Sequence, residues 1–131
     1  IQKLFRALVM KVLQIKTTHQ DERGSITDIV EQIDFNGATM IESKKGSIRG
    51  NHYHKKTTQI TFVLSGEVKY YFKLNNKKTA SEKLIKNSFL ITKPLEIHAY
   101  KFIKNTKMLI LSKGLRGGKD YEKDTFRKKI I

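Results

Sequence analysis

The densest chemistry in the chain lies in the segment Gly46-Ser-Ile-Arg49-Gly50-Asn51-His52-Tyr53-His54, followed by Gln59 and Gly66. His52 and His54 are two residues apart, and on a β-strand residues i and i+2 share a face, so both imidazoles enter one side of a sheet. Gln59 opens the next apolar run, where it can turn inward opposite them. Pro94-Leu-Glu-Ile-His98 brings a third imidazole to the start of another run. Three imidazoles and an amide are a donor set for a mid-sized divalent cation such as Zn, Ni or Fe, with His52, His54, Gln59 and His98 as the expected ligands. The same imidazoles titrate near neutrality and suit proton transfer instead, so both uses stay open. Tyr100 follows His98 by two and shares its face. Tyr53 alternates away from the two histidines and is expected to pack. Arg49 carries a planar guanidinium, the side chain suited to bidentate phosphate contacts.

Elements that could position these residues are mostly strands. Residues 38–42, 59–64, 67–74, 88–92, 99–104 and 107–111 are short runs rich in Ile, Val, Phe, Tyr and Thr, separated by Gly46, Gly66, Asn75-Asn76, Pro94 and Asn105. Strands of this length and spacing predict an all-β barrel or jelly roll. The middle of the chain lacks helical sequence long enough for parallel βαβ crossovers. Residues 1–15 carry two patterns at once. Ile1, Leu4, Phe5, Leu8, Val9, Val12 and Leu13 follow helical spacing, while 11–15 alternates like a strand. A short helix and a strand exchanged with a second subunit are both compatible with it. Residues 17–24 are polar and end in Gly, a loop signal. The expected division is an N-terminal segment 1–16, a barrel 17–113 and a wrapping tail 114–131.

Composition excludes several function classes. The 131 residues suit one domain. Absence of cysteine rules out disulfides, thiolate metal sites and a Cys nucleophile. No apolar run approaches the roughly 20 residues needed to span a bilayer, so a cytoplasmic location is expected and no membrane partner. With 27 basic and 12 acidic residues the formal charge is +15. Lysine supplies 22 of those cations, scattered as short pairs between apolar residues, which reads first as solvated outer strand faces. No basic recognition helix, zinc-finger spacing or aromatic ribonucleoprotein motif accompanies them, so nucleic acid is not the expected partner.

The histidine segment resembles the first motif of the cupin superfamily, Gly-x5-His-x-His-x3–4-Glu-x6-Gly. Gly46, His52, His54, Gln59 and Gly66 fall on it, with Gln in place of Glu. Residues 88–105 resemble the second motif more loosely: Pro94 and His98 match, and Ser88 and Glu96 stand near its usual glycines. Within cupins, Arg49-Gly50-Asn51-His52-Tyr53-His54 is similar to the nucleotide-linked 4-keto-sugar epimerases and ketoisomerases. It is most similar to the cupin domain that follows a reductase in capsular-polysaccharide hexulose enzymes. Asp21-Glu-Arg23-Gly24-Ser25 and Tyr121-Glu-Lys-Asp124-Thr125 resemble the beginning and end of that group.

The resemblance implies a double-stranded β-helix that acts as an epimerase or keto-isomerase on a nucleotide-linked 4-keto deoxysugar in surface-polysaccharide assembly. It also implies His52, His54 and Tyr100 as catalytic residues. Arg49, with Arg23 and Asn51, would bind the nucleotide-diphosphate sugar, Arg23 across a homodimer with exchanged N-terminal strands. Two other readings stay open: a non-catalytic small-ligand cupin, and a metal-dependent dioxygenase. Gln59 bears on both, because a neutral amide holds a metal less tightly than the usual carboxylate.

Overall fold

The computed structural model describes residues 2–114 and 122–131. The glycine pair Gly117-Gly118 and the motif residue Tyr121 lie outside the described residues. Helix α1 (Gln2–Met10) leads into β1 (Val12–Gln14), so the two patterns in residues 1–15 are used in succession. The break falls at Lys11, whose φ of 66° ends the helix and redirects the chain. β1 pairs antiparallel with β9 (Ser88–Thr92) of its own chain.

Two five-stranded sheets form the body, in which every paired strand runs antiparallel to its neighbours. The first has the order β1-β9-β6-β11-β4, with β6 at Thr58–Ser65, β11 at Thr106–Lys113 and β4 at Gly37–Ser43. The second runs β12-β5-β10-β7-β8, with β12 at Phe126–Arg127, β5 at Ile48–Tyr53, β10 at Ile97–Phe102, β7 at Glu67–Lys73 and β8 at Ala80–Ile85. This is the all-β, jelly-roll architecture expected from the strand spacing.

Alternation decides where each apolar side chain goes. Val63, Leu90, Met108 and Ile110 of the first sheet meet Val68, Tyr70, Tyr100 and Phe102 of the second in the inner core. Their sequence neighbours Ile60, Phe62, Phe89 and Ile91 point the other way, where Ala7 of α1, Leu13 and Ile15 cover them. β9 is therefore buried on both faces along its length and reads as a continuous apolar run.

Four strands, β2 (His19–Asp21), β3 (Gly24–Ile26), β8 and β12, were not legible as such. Within residues 17–24, expected as a loop, His19–Asp21 and Gly24 belong to strands, with Glu22-Arg23 as the turn between them. β2 and β3 form a two-stranded ribbon that pairs with neither large sheet, and polar residues on both its faces hide it from the alternation rule. β8 pairs only with β7 and buries Leu84 alone in full. The tail contributes β12, which pairs with β5. Among the described residues, no helix is long and apolar enough to cross a membrane.

Candidate functional site

β5 and β10 are hydrogen-bonded neighbours, and their register sets His98 opposite His52. The pairing slips between His98 and Ala99, a bulge that Gly50 makes room for: it has φ +92°, and a Cβ there would sit 2.8 Å from the His98 carbonyl oxygen. His54 follows the end of β5 on the same side. The ring centroids of His52, His54 and His98 lie 4.7–5.4 Å apart, and one nitrogen of each lies within 4.8 Å of the others. Three sequence-distant expectations thus meet in one place. Tyr53 turns outward and stacks on Phe126 at 5.3 Å.

A cavity of about 420 Å³ opens onto this cluster, lined by Arg49, Gly50, His52, Gln59, His98, Tyr100 and Arg127, with apolar walls from Ile41, Ile48, Met108 and Ile110. His54 is not among the lining residues. It is buried, with its ring 4.9 Å from that of His52 and 5.4 Å from that of His98. Arg49 reaches the rim with Nε donating to Ser43 Oγ at 2.7 Å. The Tyr100 hydroxyl bonds Thr61 Oγ1 at 2.7 Å.

Hydrogen-bond partners make the three histidines inequivalent. His98 Nδ1 lies 3.0 Å from the Glu96 carbonyl and His54 Nδ1 lies 2.8 Å from the Asp124 carbonyl. A carbonyl only accepts, so in the neutral form of each ring Nδ1 carries the proton and Nε2 is the lone-pair nitrogen. At His52 the relation reverses: Arg127 donates to Nδ1 at 3.2 Å, and a guanidinium cannot accept. Neutral His52 therefore carries its proton on Nε2. Burial holds the His98 imidazole down at about 4, so it stays neutral at physiological pH.

Metal-binding imidazoles usually donate their second nitrogen to a carbonyl or carboxylate. His54 and His98 satisfy that test, and Gln59 lines the same cavity as His98. His52 does not satisfy it while Arg127 holds its Nδ1. Within the expected ligand set, His54, Gln59 and His98 are the donors whose chemistry fits a divalent cation.

Behind His98 lies a buried charge cluster. Glu96 has no exposed surface, and Lys11 Nζ reaches both of its carboxylate oxygens at 2.7 and 2.8 Å. The Tyr70 hydroxyl donates to the same carboxylate and also bonds Thr92 Oγ1. Burial lowers the Lys11 pKa against the opposing pull of Glu96, and burial raises that of Tyr70.

Two expected substrate-binding residues are placed elsewhere. Asn51 adopts φ 56°, a left-handed backbone that breaks the strand alternation. Its Oδ1 accepts from the backbone N–H of Ile130 and Ile131 at 2.9 and 3.2 Å, so it anchors the tail and does not line the cavity. Arg23 sits in the turn of the β2–β3 ribbon, exposed and paired with Asp21 at 2.6 Å. Within the chain it does not line the cavity. The guanidinium that joins Arg49 there is Arg127, which sequence reasoning missed. Its one signal was an arginine in a lysine-rich tail, two residues beyond the Thr125 that closes the resemblance motif.

The tail is part of the site. Asp124 accepts from the backbone N–H of Lys55 and Lys56 and from Thr57 Oγ1, fixing the turn after His54. Burial works against its ionised carboxyl, but these donors win and hold its pKa below the ordinary value.

The family model described as "Polysaccharide biosynthesis C-terminal domain" matches residues 19–112. No curated protein matches the chain in sequence. Among solved structures, it is similar to a double mutant of the 3,4-ketoisomerase QdtA from Thermoanaerobacterium thermosaccharolyticum in complex with TDP. The identity is 27%, the TM-score 0.73, and the match covers 89% of this chain and 86% of that one. A 3,4-ketoisomerase from Helicobacter canadensis matches at 20% identity and TM-score 0.76, covering 89% of each chain. The dTDP-4-dehydrorhamnose 3,5-epimerase from Sulfolobus tokodaii matches at 16% identity and TM-score 0.72, covering 87% of this chain and 73% of that one.

Proposed function

The chain belongs to the polysaccharide biosynthesis C-terminal domain family, and from that premise we propose that it is a sugar-nucleotide isomerase, an epimerase or 3,4-ketoisomerase of a nucleotide-linked 4-keto deoxysugar. The observation that carries the reading is that Arg49, His52, His98 and Tyr100 converge on one cavity. The likeness to a ketoisomerase holding TDP supports it. In a 4-keto sugar the carbons beside the carbonyl bear acidic protons. Moving one needs an acceptor, a donor and stabilisation of the enolate oxygen. The lone-pair Nε2 of His98 is the acceptor, with His54 beside it. The Nε2–H of His52 and the Tyr100 hydroxyl are donors to the oxygen that gains charge. Arg49 holds the diphosphate, and Arg127 adds a second cation to the same cavity. Alternatively, a divalent cation would take the Nε2 lone pairs of His54 and His98 together with Gln59 and supply Lewis-acid polarisation of the sugar carbonyl, in which case His98 would not be the proton acceptor.

The same reading takes in a second subunit. The β2–β3 ribbon pairs with neither sheet, and an isolated two-stranded ribbon is marginal in water. Docking on a partner would stabilise it and bring Arg23 to a neighbouring cavity. A homodimer by light scattering at micromolar concentration is expected, and a monomer removes this part of the reading.

Binding and chemistry separate by mutation. Arg49→Ala should weaken thymidine diphosphate binding, measured by calorimetry, by about 1.5–3 kcal/mol, the range for a hydrogen bond to a charged group. His98→Gln should bind the nucleotide as wild type does. Exchange of sugar-ring protons with deuterated water, followed by NMR, should fall in it by about 10²-fold or more. Unchanged nucleotide binding in Arg49→Ala removes the main support for a nucleotide sugar. Absence of exchange with every 4-keto sugar tried leaves a ligand-binding cupin as the better reading.

A further inference from the structure

His98 is gripped from two directions, and both grips end on Glu96. Its ring edge donates Nδ1–H to the Glu96 carbonyl at 3.0 Å. Its ring face lies nearly parallel to Tyr70, with centroids 6.2 Å apart and planes at 22°, and the Tyr70 hydroxyl is bound to the Glu96 carboxylate. The turn that carries Glu96 also holds His54, because the Leu95 N–H donates to the His54 carbonyl at 2.6 Å. That turn is strained: Leu95 has φ 71°, a left-handed conformation that costs a leucine energy and persists only where surrounding contacts impose it.

The contact that imposes it comes from the far end of the chain. Lys11, itself at φ 66°, spends its ammonium donors on both Glu96 oxygens and the Ile91 carbonyl at 2.8 Å. Its Nζ also sits 4.7 Å from the centre of the Phe72 ring. A buried ion pair is a poor stabiliser compared with apolar residues of the same shape, so stability alone does not explain one here. What it does supply is direction, since a bidentate carboxylate fixes the turn in rotation as well as in place.

We propose that Lys11, Glu96 and Tyr70 form a positioning unit that fixes the His98 ring, and with it the geometry of the histidine cluster. The N-terminal segment is thereby a working part of the site and not only a cover for the outer core. The kinetic half of its test rests on the proposed isomerase activity. The structural half does not.

The double variant K11M/E96Q removes both charges while keeping side-chain volume, so it avoids leaving one buried charge unpaired. In ¹⁵N-labelled protein the His98 ring Nδ1–H should exchange with water at least tenfold faster than in wild type, while Lys11→Arg keeps wild-type protection. Sugar-proton exchange should lose at least tenfold in kcat with KM within about twofold, because the positioning unit touches no substrate. Tyr70→Phe removes only a hydroxyl, and a several-fold acceleration of the same ring N–H is expected even if the double variant does not fold. Wild-type ring protection in either variant overturns the proposal. Faster ring exchange in a protein inactive on every sugar supports the positioning unit and counts against the isomerase reading.

Discussion

Tyr100 stands with one side in the cavity and its hydroxyl on Thr61, whose surface is fully buried. Removing the hydroxyl strands a buried donor-acceptor, so Tyr100→Phe should cost about 1–2 kcal/mol in denaturant unfolding. If the hydroxyl also faces the sugar oxygen that gains charge, turnover should fall by about 10²-fold with nucleotide affinity unchanged. A loss of stability without loss of turnover would make Tyr100 a core residue only. Its placement followed from the two-residue spacing to His98, as did the common face of His52 and His54. Asn51 shows where such reasoning stops. It stands in the Arg-Gly-Asn-His string that resembles a substrate-binding motif, yet one left-handed φ turns its amide to the chain terminus, and periodicity carries no information about φ. Arg127 was hidden for a related reason. It faces His52 only because β12 pairs with β5 across more than seventy residues, and no local pattern records that pairing.

At the scale of elements, the pairing of β5 with β10 sets His52 beside His98, and Gly50 is a point where β10 leaves no room for a side chain on β5. A Cβ at residue 50 would lie 2.8 Å from the His98 carbonyl oxygen and 3.0 Å from Ala99 Cα, both backbone atoms that cannot swing aside. With φ +92° the substitution is strained as well. Gly50→Ala should therefore cost roughly 1–3 kcal/mol and push β10 away. The ring N–H signals of His52 and His98 should shift together, and wild-type signals would show that the strands do not transmit the strain. Strands with one clean apolar face, such as β11, were legible because alternation and burial coincide there. The β2–β3 ribbon and β8 were not, because most of their side chains stay in water and nothing selects an apolar period. The joint at Lys11 was legible only as an ambiguity, since a helix and a strand share it and the tertiary ion pair decides where one stops.

For the whole molecule, acid should act in two stages. Burial depresses His98 from 6.5 to about 4, so below 6.5 the unfolded chain binds a proton that the folded chain refuses. Stability is then lost as pH falls from about 6.5 and the loss is complete near 4. At about 1.4 kcal/mol per unit, the total is about 3 kcal/mol. Asp124 acts lower. Its folded pKa lies below the ordinary 3.8, so its contribution is intact above that value and disappears as pH drops through the folded pKa, when the carboxylate that anchors Lys55, Lys56 and Thr57 is neutralised. The formal charge of +15 at neutrality grows through the same range and adds self-repulsion that salt screens. Denaturant midpoints measured from pH 7 to pH 3 should show the first decline in wild type and a much smaller one in His98→Gln. Asp124→Asn keeps the shape but not the charge and should be less stable than wild type at neutral pH, the gap closing below about pH 4. An equal decline between pH 6.5 and 4 in His98→Gln would show that His98 is not its source, and a decline that added salt abolishes would belong to net charge.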